Sequence, residues 1–148
     1  LCDRRQRQMC IRDSEFRGKY YFLSNFYSSP VTYEGLTYLN NEAAFQSAKT
    51  FSDRECFTNL DPSSAKKLGR RVQLRSDWEE AKYNVMYEIV KAKFTQNLDL
   101  KTKLLETDNQ HLEEGNTWGD KIWGTVNGVG ENNLGKILMR VREEIRHE

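Results

Sequence analysis

Apolar residues recur at helical spacing through the middle of this chain, and this pattern constrains the fold more than any other feature. The residues that form it are Trp78, Val85, Met86, Ile89, Val90 and Phe94. A period near 3.6 residues predicts one long amphipathic helix with a single buried face. Ser76, with Glu79 three residues later, has the form of a capping box, so we expect the helix to begin at Ser76.

Capping residues and apolar spacing predict further helices. They run from about Asn41 to Phe51, from Pro62 to Gly69, through Leu104 and Leu105, and through Leu134, Ile137, Leu138, Val141 and Ile145. The expected N-terminal caps are, in the same order, Asn40, Asp61, Asp99, and Asn132 or Asn133. Short polar side chains suit these positions because they accept hydrogen bonds from the first free N–H groups of a helix.

Aromatic and β-branched residues predict a small β component. Tyr20–Phe22 is a candidate for a short strand. Val31–Tyr33 and Leu36–Tyr38 flank Glu34–Gly35, which suits a two-residue hairpin turn. Together with the helices, these strands predict a single α+β domain that is rich in helix.

Composition fits one soluble, globular domain. A chain of 148 residues is long enough to bury well over half of its unfolded surface. Its 37% hydrophobic and 11% aromatic content is too high for a disordered chain. Lysine and arginine number 23 against 22 acidic residues, so the net charge of +1 does not call for a polyanionic partner. No apolar run is long enough to span a bilayer and none reads as a signal peptide, so we expect a cytoplasmic protein.

The cysteines predict neither a disulfide framework nor a metal site. Cys2, Cys10 and Cys56 are odd in number and scattered, and His111 and His147 do not cluster with them in the sequence. We therefore expect a reducing compartment, no structural metal and no cofactor.

The first fourteen residues are expected to lie outside the domain, which we place at residues 15–148. Residues 1–14 are rich in arginine and glutamine and lack an apolar period, so they predict a disordered tail. Moreover, Arg4–Ser14 reads as the translation of a transposase adapter used in preparing sequencing libraries, which indicates a non-native segment left by gene assembly. The alternative is a basic arm that binds nucleic acid.

The helix predicted after Asn40 carries a candidate reaction site. Glu42, Gln46 and Lys49 stand at positions i, i+4 and i+7, so their side chains share one face. A carboxylate beside an amide and a cation suits a pocket for a nucleotide-sized ligand. The same spacing is also typical of a solvated polar helix face, and spacing alone favours that simpler interpretation.

A glycine-rich loop, Glu113–Gly135, precedes the last helix and contains Trp118 and Trp123. Loops of this kind often position functional groups. Its GVGENNLG run could place a phosphate on the N-terminus of the last helix, or it could be a series of turns. The two tryptophans are more typical of core or lid residues than of platforms for base stacking. No Walker motif, dinucleotide fingerprint or acyl-transfer triad accompanies the loop.

A series of sequence blocks, in order along most of the chain, resembles the NADAR family, which is named for NAD and ADP-ribose. The blocks are FRGKYYFLSNF at Phe16–Phe26, SPVTYEG at Ser29–Gly35, EAAFQSAK at Glu42–Lys49, AKKLGR at Ala65–Arg70, LRSDWE at Leu74–Glu79, KFTQN at Lys93–Asn97, EGNTWGD at Glu114–Asp120 and GVGENNLGKILM at Gly128–Met139. The family consists of small, helix-rich α+β domains that cleave N-glycosidic bonds. Its members include YbiA-type enzymes acting on an early ribosylamine phosphate of the riboflavin pathway, and others that remove ADP-ribose from guanine bases. The resemblance therefore implies an N-glycosidase without choosing between these substrates.

The resemblance also implies roles for individual side chains. Breaking a ribosyl C–N bond develops positive charge at the anomeric carbon, which a nearby carboxylate stabilises, and Glu42 and Asp120 are the implied acidic groups. The implied substrate-binding residues are Ser24, Asn25, Phe26, Gln46, Lys49, Arg70, Arg75, Trp78 and Trp118. Many relatives have histidine directly after the helix glutamate, whereas this chain has Ala43. A proton shuttle through that histidine cannot operate here.

Two other classes of function fit parts of the sequence. A module that binds ADP-ribose or a nucleotide without cleaving it would use the same aromatic and polar residues, although the presence of Glu42 and Asp120 argues against it. A purely structural protein would explain the helices but not the polar face of the first one. The implied partner is a small nucleotide-like molecule or an ADP-ribosylated nucleic acid.

Overall fold

A computed structural model describes the backbone of Cys10–Arg12 and the whole of residues 18–148. Its strands are β1 (Cys10–Arg12), β2 (Ser28–Tyr33), β3 (Leu36–Asn40) and β4 (His111–Glu113). Its α-helices are α1 (Asn41–Ser47), α2 (Pro62–Gly69), α3 (Trp78–Gln96), α4 (Leu98–Leu105) and α5 (Asn133–Arg146), and short 3-10 helices lie at Gly18–Leu23 and Arg54–Phe57. The predicted helix-rich α+β fold is confirmed.

The described residues form two compact units. One unit comprises Asn25–Leu100, and the other comprises the described residues up to Ser24 together with Lys101–Glu148. The first unit contains the hairpin β2–β3 and helices α1, α2 and α3, and the second contains β1, β4 and α5.

The hairpin of β2 and β3 forms as predicted, with Tyr33 opposite Leu36 at its closed end. Glu34 and Gly35 have φ values of 48° and 86°, the left-handed values that a two-residue type I′ turn requires. Glycine adopts this conformation without steric cost, which explains its place in the turn.

Helix α1 begins where predicted but ends early. The side-chain oxygen of Asn40 accepts a hydrogen bond from the Ala43 N–H at 2.8 Å, so the predicted cap is confirmed. The helix stops at Ser47 instead of continuing to Phe51. The Ser47 hydroxyl donates to the Ala44 carbonyl at 2.7 Å, and such a local side-chain bond competes with continuation of the helix.

Helix α2 has both of its predicted ends. The Asp61 carboxylate accepts a hydrogen bond from the Ser64 N–H at 3.4 Å, Pro62 is the first helical residue and Gly69 is the last. A proline in the first turn removes an N–H that would have had no partner inside the helix.

Helix α3 begins at Trp78, and its N-cap is Asp77. The predicted capping box at Ser76 was therefore wrong. The Asp77 carboxylate makes no cap hydrogen bond because the Arg75 guanidinium binds both of its oxygens, at 2.6 and 2.9 Å. The predicted apolar face is buried throughout, at Trp78, Val85, Met86, Ile89, Val90 and Phe94.

The C-terminal end of α3 holds one edge of β2. The Gln96 side-chain amide accepts a hydrogen bond from the Thr32 N–H at 2.8 Å and donates one to the Thr32 carbonyl at 2.9 Å. Asn97 donates to the Pro30 carbonyl at 3.1 Å. Side-chain amides thus take the place of a neighbouring strand and satisfy the backbone groups of the edge.

In the second unit, α5 packs against β4. Its predicted apolar face is buried, at Leu134, Ile137, Leu138, Val141 and Ile145. Asn132 is the N-cap, as predicted, but it has a left-handed φ of 52° and makes no side-chain bond to the helix. Its side chain instead accepts from the Glu114 N–H and donates to the Leu112 carbonyl, each at 2.9 Å.

Two further element predictions in the sequence were wrong. Gly18–Leu23 is a 3-10 helix where Tyr20–Phe22 suggested a strand. A strand would point adjacent side chains to opposite faces, whereas this turn buries both Phe22 and Leu23. Helix α4 begins at Leu98, so Asp99 lies inside its first turn and is not its cap.

Part of the predicted tail has regular structure. Cys10–Arg12 form β1, which pairs in parallel with β4. Pairing through backbone groups needs no apolar period, so a strand of three residues gives no signal in the sequence. The predictions for residues 1–9, 13 and 14 lie outside the described residues.

None of the helices in the described part of the chain combines the length and apolar character needed to cross a membrane.

A buried lysine gives the protein a pH-dependent stability. The side chain of Lys93, on α3, is 1% exposed, and its Nζ lies 5.4 Å from the centre of the Tyr27 ring and 5.1 Å from that of Phe94. Desolvation by burial lowers the pKa of Lys93 from 10.5 to about 7. Between these two values the unfolded state binds the proton and the folded state does not.

We therefore expect the free energy of unfolding to rise with pH above about 7, with a contribution from Lys93 of up to about 1.4 kcal/mol per pH unit. Lys93→Met has a similar length and no charge, so it should be more stable than the wild type at pH 7, by a margin that shrinks towards pH 9. Denaturant unfolding of both proteins at each pH measures this margin. A margin that does not change with pH would contradict the assignment.

Candidate active site

Glu42 lies in the first turn of α1 and is only 8% exposed. Its Oε1 accepts a hydrogen bond from Gln46 Nε2 at 2.9 Å, one helical turn away. Its backbone N–H donates to the carbonyl of Asn25 at 3.0 Å. The interpretation of this helix as a solvated polar face was therefore wrong, since both the carboxylate and the amide are buried among other elements.

Buried amides flank Glu42. Asn25 and Asn41 are both buried, and Asn41 Nδ2 donates to Asn25 Oδ1 over a long distance of 3.5 Å. Asn25 Nδ2 reaches the sulfur of Met86, also at 3.5 Å. Asn41 Oδ1 has no hydrogen-bond partner among residues 18–148. Amide groups with long or absent bonds retain capacity to bind polar groups of another molecule.

Three cationic side chains lie close enough to Glu42 or to one another to interact electrostatically. Lys49 follows the end of α1 and is half-buried, and desolvation lowers its pKa. The charge of Glu42 raises the pKa of Lys49, whereas Arg70 and Lys66 lower it. Lys66 also lies over the ring of Phe26, with its Nζ 5.7 Å from the ring centre. The site thus combines one buried carboxylate with a cluster of positive charge.

Two other implied substrate-binding residues make firm contacts within the same unit. Trp78 is 6% exposed, and its ring centre lies 5.1 Å from that of Phe45. The Arg75 guanidinium binds Asp77 through two hydrogen bonds and lies 4.3 Å from the centre of the Phe51 ring. These contacts already occupy the bidentate face of Arg75, so its predicted role in substrate binding would require displacement of Asp77.

The remaining implied residues belong to the second unit. Asp120 lies in the glycine-rich loop, and its Oδ1 accepts hydrogen bonds from the N–H groups of Ile122 and Trp123 at 3.0 and 2.9 Å. Trp118 is 57% exposed, so it is not a core residue. Ser24 follows the first 3-10 helix and is half-buried.

The Asn116 side chain fixes the backbone of Asp120 from both sides. It donates to the Asp120 carbonyl at 2.8 Å and accepts from the Asp120 N–H at 3.0 Å. Its own N–H donates to the Thr125 carbonyl at 2.8 Å, which ties the two ends of this part of the loop together. Asp120 is therefore held rigidly by its loop.

Some neighbours of the site were not predicted from the sequence. The sequence does not single out Asn41 or Lys66, because it does not distinguish a buried asparagine from an exposed one, or a lysine near a site from any other surface lysine. Gly69 was interpreted only as a helix stop, although it also contacts Gln46. The AKKLGR block is the one signal that could have drawn attention to these α2 residues.

Among residues 18–148, no three His, Cys, Asp or Glu residues are grouped so that they could hold a metal ion.

The bonds of Asp120 lead to a stability prediction. Asp120→Ala removes the acceptor for two backbone N–H groups, so it should lower the free energy of unfolding by about 1 kcal/mol. Asp120→Asn keeps a side-chain oxygen at the same place and should cost far less. Denaturant unfolding of both variants measures the difference. Equal losses in the two would show that the charge, and not these hydrogen bonds, stabilises the loop.

Several known proteins are similar to this chain in sequence or in structure. Residues 13–146 match the NADAR domain. The chain is 36% identical over 131 residues to N-glycosidase YbiA of Shigella flexneri serotype 5b, across 84% of this chain and 81% of that protein. It is 37% identical over 132 residues to riboflavin biosynthesis protein VVA0006 of Vibrio vulnificus, across 84% of this chain and 35% of that one. The NMR structure of the E. coli protein YbiA is similar with a TM-score of 0.82 and 33% identity, over 93% of this chain and 85% of that one. The chain belongs to the NADAR family.

Proposed function

We propose that this protein is a hydrolase that breaks the ribosyl C–N bond of a nucleotide-like substrate. The candidate substrates are a ribosylaminopyrimidine phosphate of the riboflavin pathway and an ADP-ribosylated guanine. The single observation that carries the proposal is the buried carboxylate of Glu42, bonded to Gln46 and placed near Lys49. The names of the relatives, N-glycosidase YbiA and a riboflavin biosynthesis protein, support the same reaction class.

The chemistry requires a negative group beside the sugar. As the C–N bond lengthens, positive charge develops on the anomeric carbon and the ring oxygen, and a water molecule then adds to that carbon. The leaving nitrogen takes up one proton and the water loses one, so the reaction is a hydrolysis without net redox change. A carboxylate removed from bulk water stabilises this charge more strongly than a solvated one.

Glu42 fits this role. Gln46 donates to one carboxylate oxygen and so fixes its orientation, while Ala43 leaves the next position without a titratable side chain. Any proton transfer at this helix therefore involves Glu42 itself or water. In a ribosylaminopyrimidine the bond that breaks joins the sugar to an exocyclic amino nitrogen, which leaves as a neutral amine only when it takes up a proton.

The cationic cluster supports a substrate that carries phosphate. Lys49 interacts electrostatically with Glu42 and also with the two other cations, Lys66 and Arg70. Both candidate substrates carry phosphate groups, which such side chains bind through charge-assisted hydrogen bonds. Phe26, with Lys66 over its ring, offers an aromatic face in the same neighbourhood.

The substrate is tested by incubating the purified protein separately with a ribosylaminopyrimidine phosphate, an ADP-ribosyl-guanine oligonucleotide and NAD. We expect release of free base from one of the first two, detected by chromatography. Binding of these compounds without release of base would contradict hydrolysis and favour a module that only recognises nucleotides.

Substitution of Glu42 tests the proposed chemistry. Glu42→Gln keeps the size of the side chain and removes its charge, so kcat should fall about a hundredfold or more while substrate affinity changes far less. Steady-state kinetics and calorimetric binding measure the two effects. A folded Glu42→Gln protein with wild-type kcat would remove Glu42 from the reaction.

The matched control is Glu80→Gln, which makes the same change at an exposed glutamate in the first turn of α3. In such a position a carboxylate interacts with the helix dipole by at most about 1 kcal/mol. We expect this variant to keep wild-type kcat. A loss of activity equal to that of Glu42→Gln would mean that helix charge in general, and not the site, is responsible.

The reaction should not depend on a metal ion. The chemistry above uses a carboxylate to stabilise positive charge, and protonation of the leaving nitrogen does what a Lewis acid would otherwise do. Exhaustive treatment with EDTA should therefore leave kcat unchanged. Loss of turnover that magnesium restores would contradict this mechanism.

A further inference from the structure

Helices α1 and α2 pack tightly at Gly69, the last residue of α2. A Cβ atom placed on Gly69 would lie 2.0 Å from Gln46 Oε1 and 2.9 Å from Gln46 Cδ, well inside van der Waals contact. Gly69 is buried and has no left-handed φ. Glycine is needed here because it leaves space for the Gln46 side chain, and not because of its backbone conformation.

The orientation of the Gln46 amide depends on this space. Its nitrogen donates to Glu42 Oε1 at 2.9 Å, while its oxygen lies against Gly69 and has no hydrogen-bond partner in residues 18–148. If the amide were reversed, its oxygen would face the carboxylate oxygen, and two acceptors repel each other. The Gln46 amide nitrogen therefore keeps its hydrogen bond to Glu42 only while residue 69 leaves room for the amide oxygen.

We propose that Gly69 is a positioning residue for the hydrolysis of the N-glycosidic bond, acting through Gln46 on the Glu42 carboxylate. This inference rests on the proposed function of Glu42. Gly69 touches the Gln46 amide, and the amide fixes the carboxylate oxygen that faces it. A side chain at position 69 displaces the amide and removes the Gln46 hydrogen bond that helps to orient the carboxylate.

The variant Gly69→Ala tests the chain of contacts. The obstructing atoms are the end of a flexible side chain, so Gln46 can swing aside and the helices can stay in place. Alanine is also favoured over glycine at a helical position. We expect a folded protein in which kcat falls about tenfold and KM changes less than about twofold, because the lost bond is a hydrogen bond to a charged group.

A double-mutant cycle separates positioning from a general structural effect. Gln46→Ala should lower kcat about as much as Gly69→Ala, and the double variant should match Gln46→Ala, since no amide is left to displace. Each protein is assayed with a ribosylaminopyrimidine phosphate and an ADP-ribosyl-guanine oligonucleotide in parallel. The matched control is Ser63→Ala, on the exposed side of α2, which should keep wild-type kcat.

Thermal unfolding of the same variants provides a readout that does not depend on catalysis. Gly69→Ala should lower Tm in the wild-type background and raise it in the Gln46→Ala background, where alanine meets no obstacle.

Additive effects on kcat, or an equal Tm change in both backgrounds, would overturn the proposal. Loss of activity in Glu42→Gln with wild-type activity in Gln46→Ala would overturn it while leaving the proposed function intact. A fully active Glu42→Gln with coupled Tm values would instead overturn the proposed function and the catalytic part of this inference with it.

Discussion

The burial of α1 is the constraint on which the rest of this site depends. Every residue from Asn41 to Ser47 is buried, although the helix carries a carboxylate and several amides. Burying such a helix is costly unless its first N–H groups have partners, and two of them do: Asn40 caps the Ala43 N–H, and the Asn25 carbonyl accepts from the N–H of Glu42. The caps therefore hold Glu42 in an environment from which water is largely excluded.

The neighbouring elements are arranged so that this short helix stays fixed. Tyr38 of β3 places its hydroxyl 2.9 Å from Ser47 Oγ at one end of α1. Met86 of α3 contacts the Asn25 side chain at the other end. The amide of Gln96, at the C-terminal end of α3, binds the backbone of β2 as a strand would. A helix of two turns has little intrinsic stability, so tertiary contacts of this kind determine its position.

Local signals in the sequence predicted much of the fold. The Asp61–Pro62 start of α2 and the Glu34–Gly35 turn were predicted because each motif satisfies its own backbone geometry. The long apolar face of α3 was predicted because burial of a helix follows its period. Ser76 was wrongly predicted as the cap, since α3 begins at Trp78 and its N-cap is Asp77. Arg75 binds the Asp77 carboxylate, an interaction between side chains that a capping rule does not include.

The site was less predictable than the fold. Spacing placed Glu42 and Gln46 on one face, and the hydrogen bond between them agrees with that, but their burial depends on α2 and α3, which are distant in sequence. Gly69 matters because it leaves space for the side-chain oxygen of Gln46. A glycine in the sequence does not show which neighbouring atom fills the space beside it. The role of Asp120 in holding Ile122 and Trp123 likewise depends on loop geometry that glycine content alone does not determine.

We propose that the carboxylate of Glu42 acts at the anomeric carbon of an N-glycoside, and this role can be tested in a structure. It is tested most directly by a crystal structure of the Glu42→Gln variant with an intact ribosylaminopyrimidine phosphate or ADP-ribosyl-guanine bound. The anomeric carbon should lie within roughly 3.5 Å of a side-chain atom of residue 42, the separation of a near-attack geometry. A bound substrate whose anomeric carbon lies away from residue 42, beside other acidic groups, would contradict it.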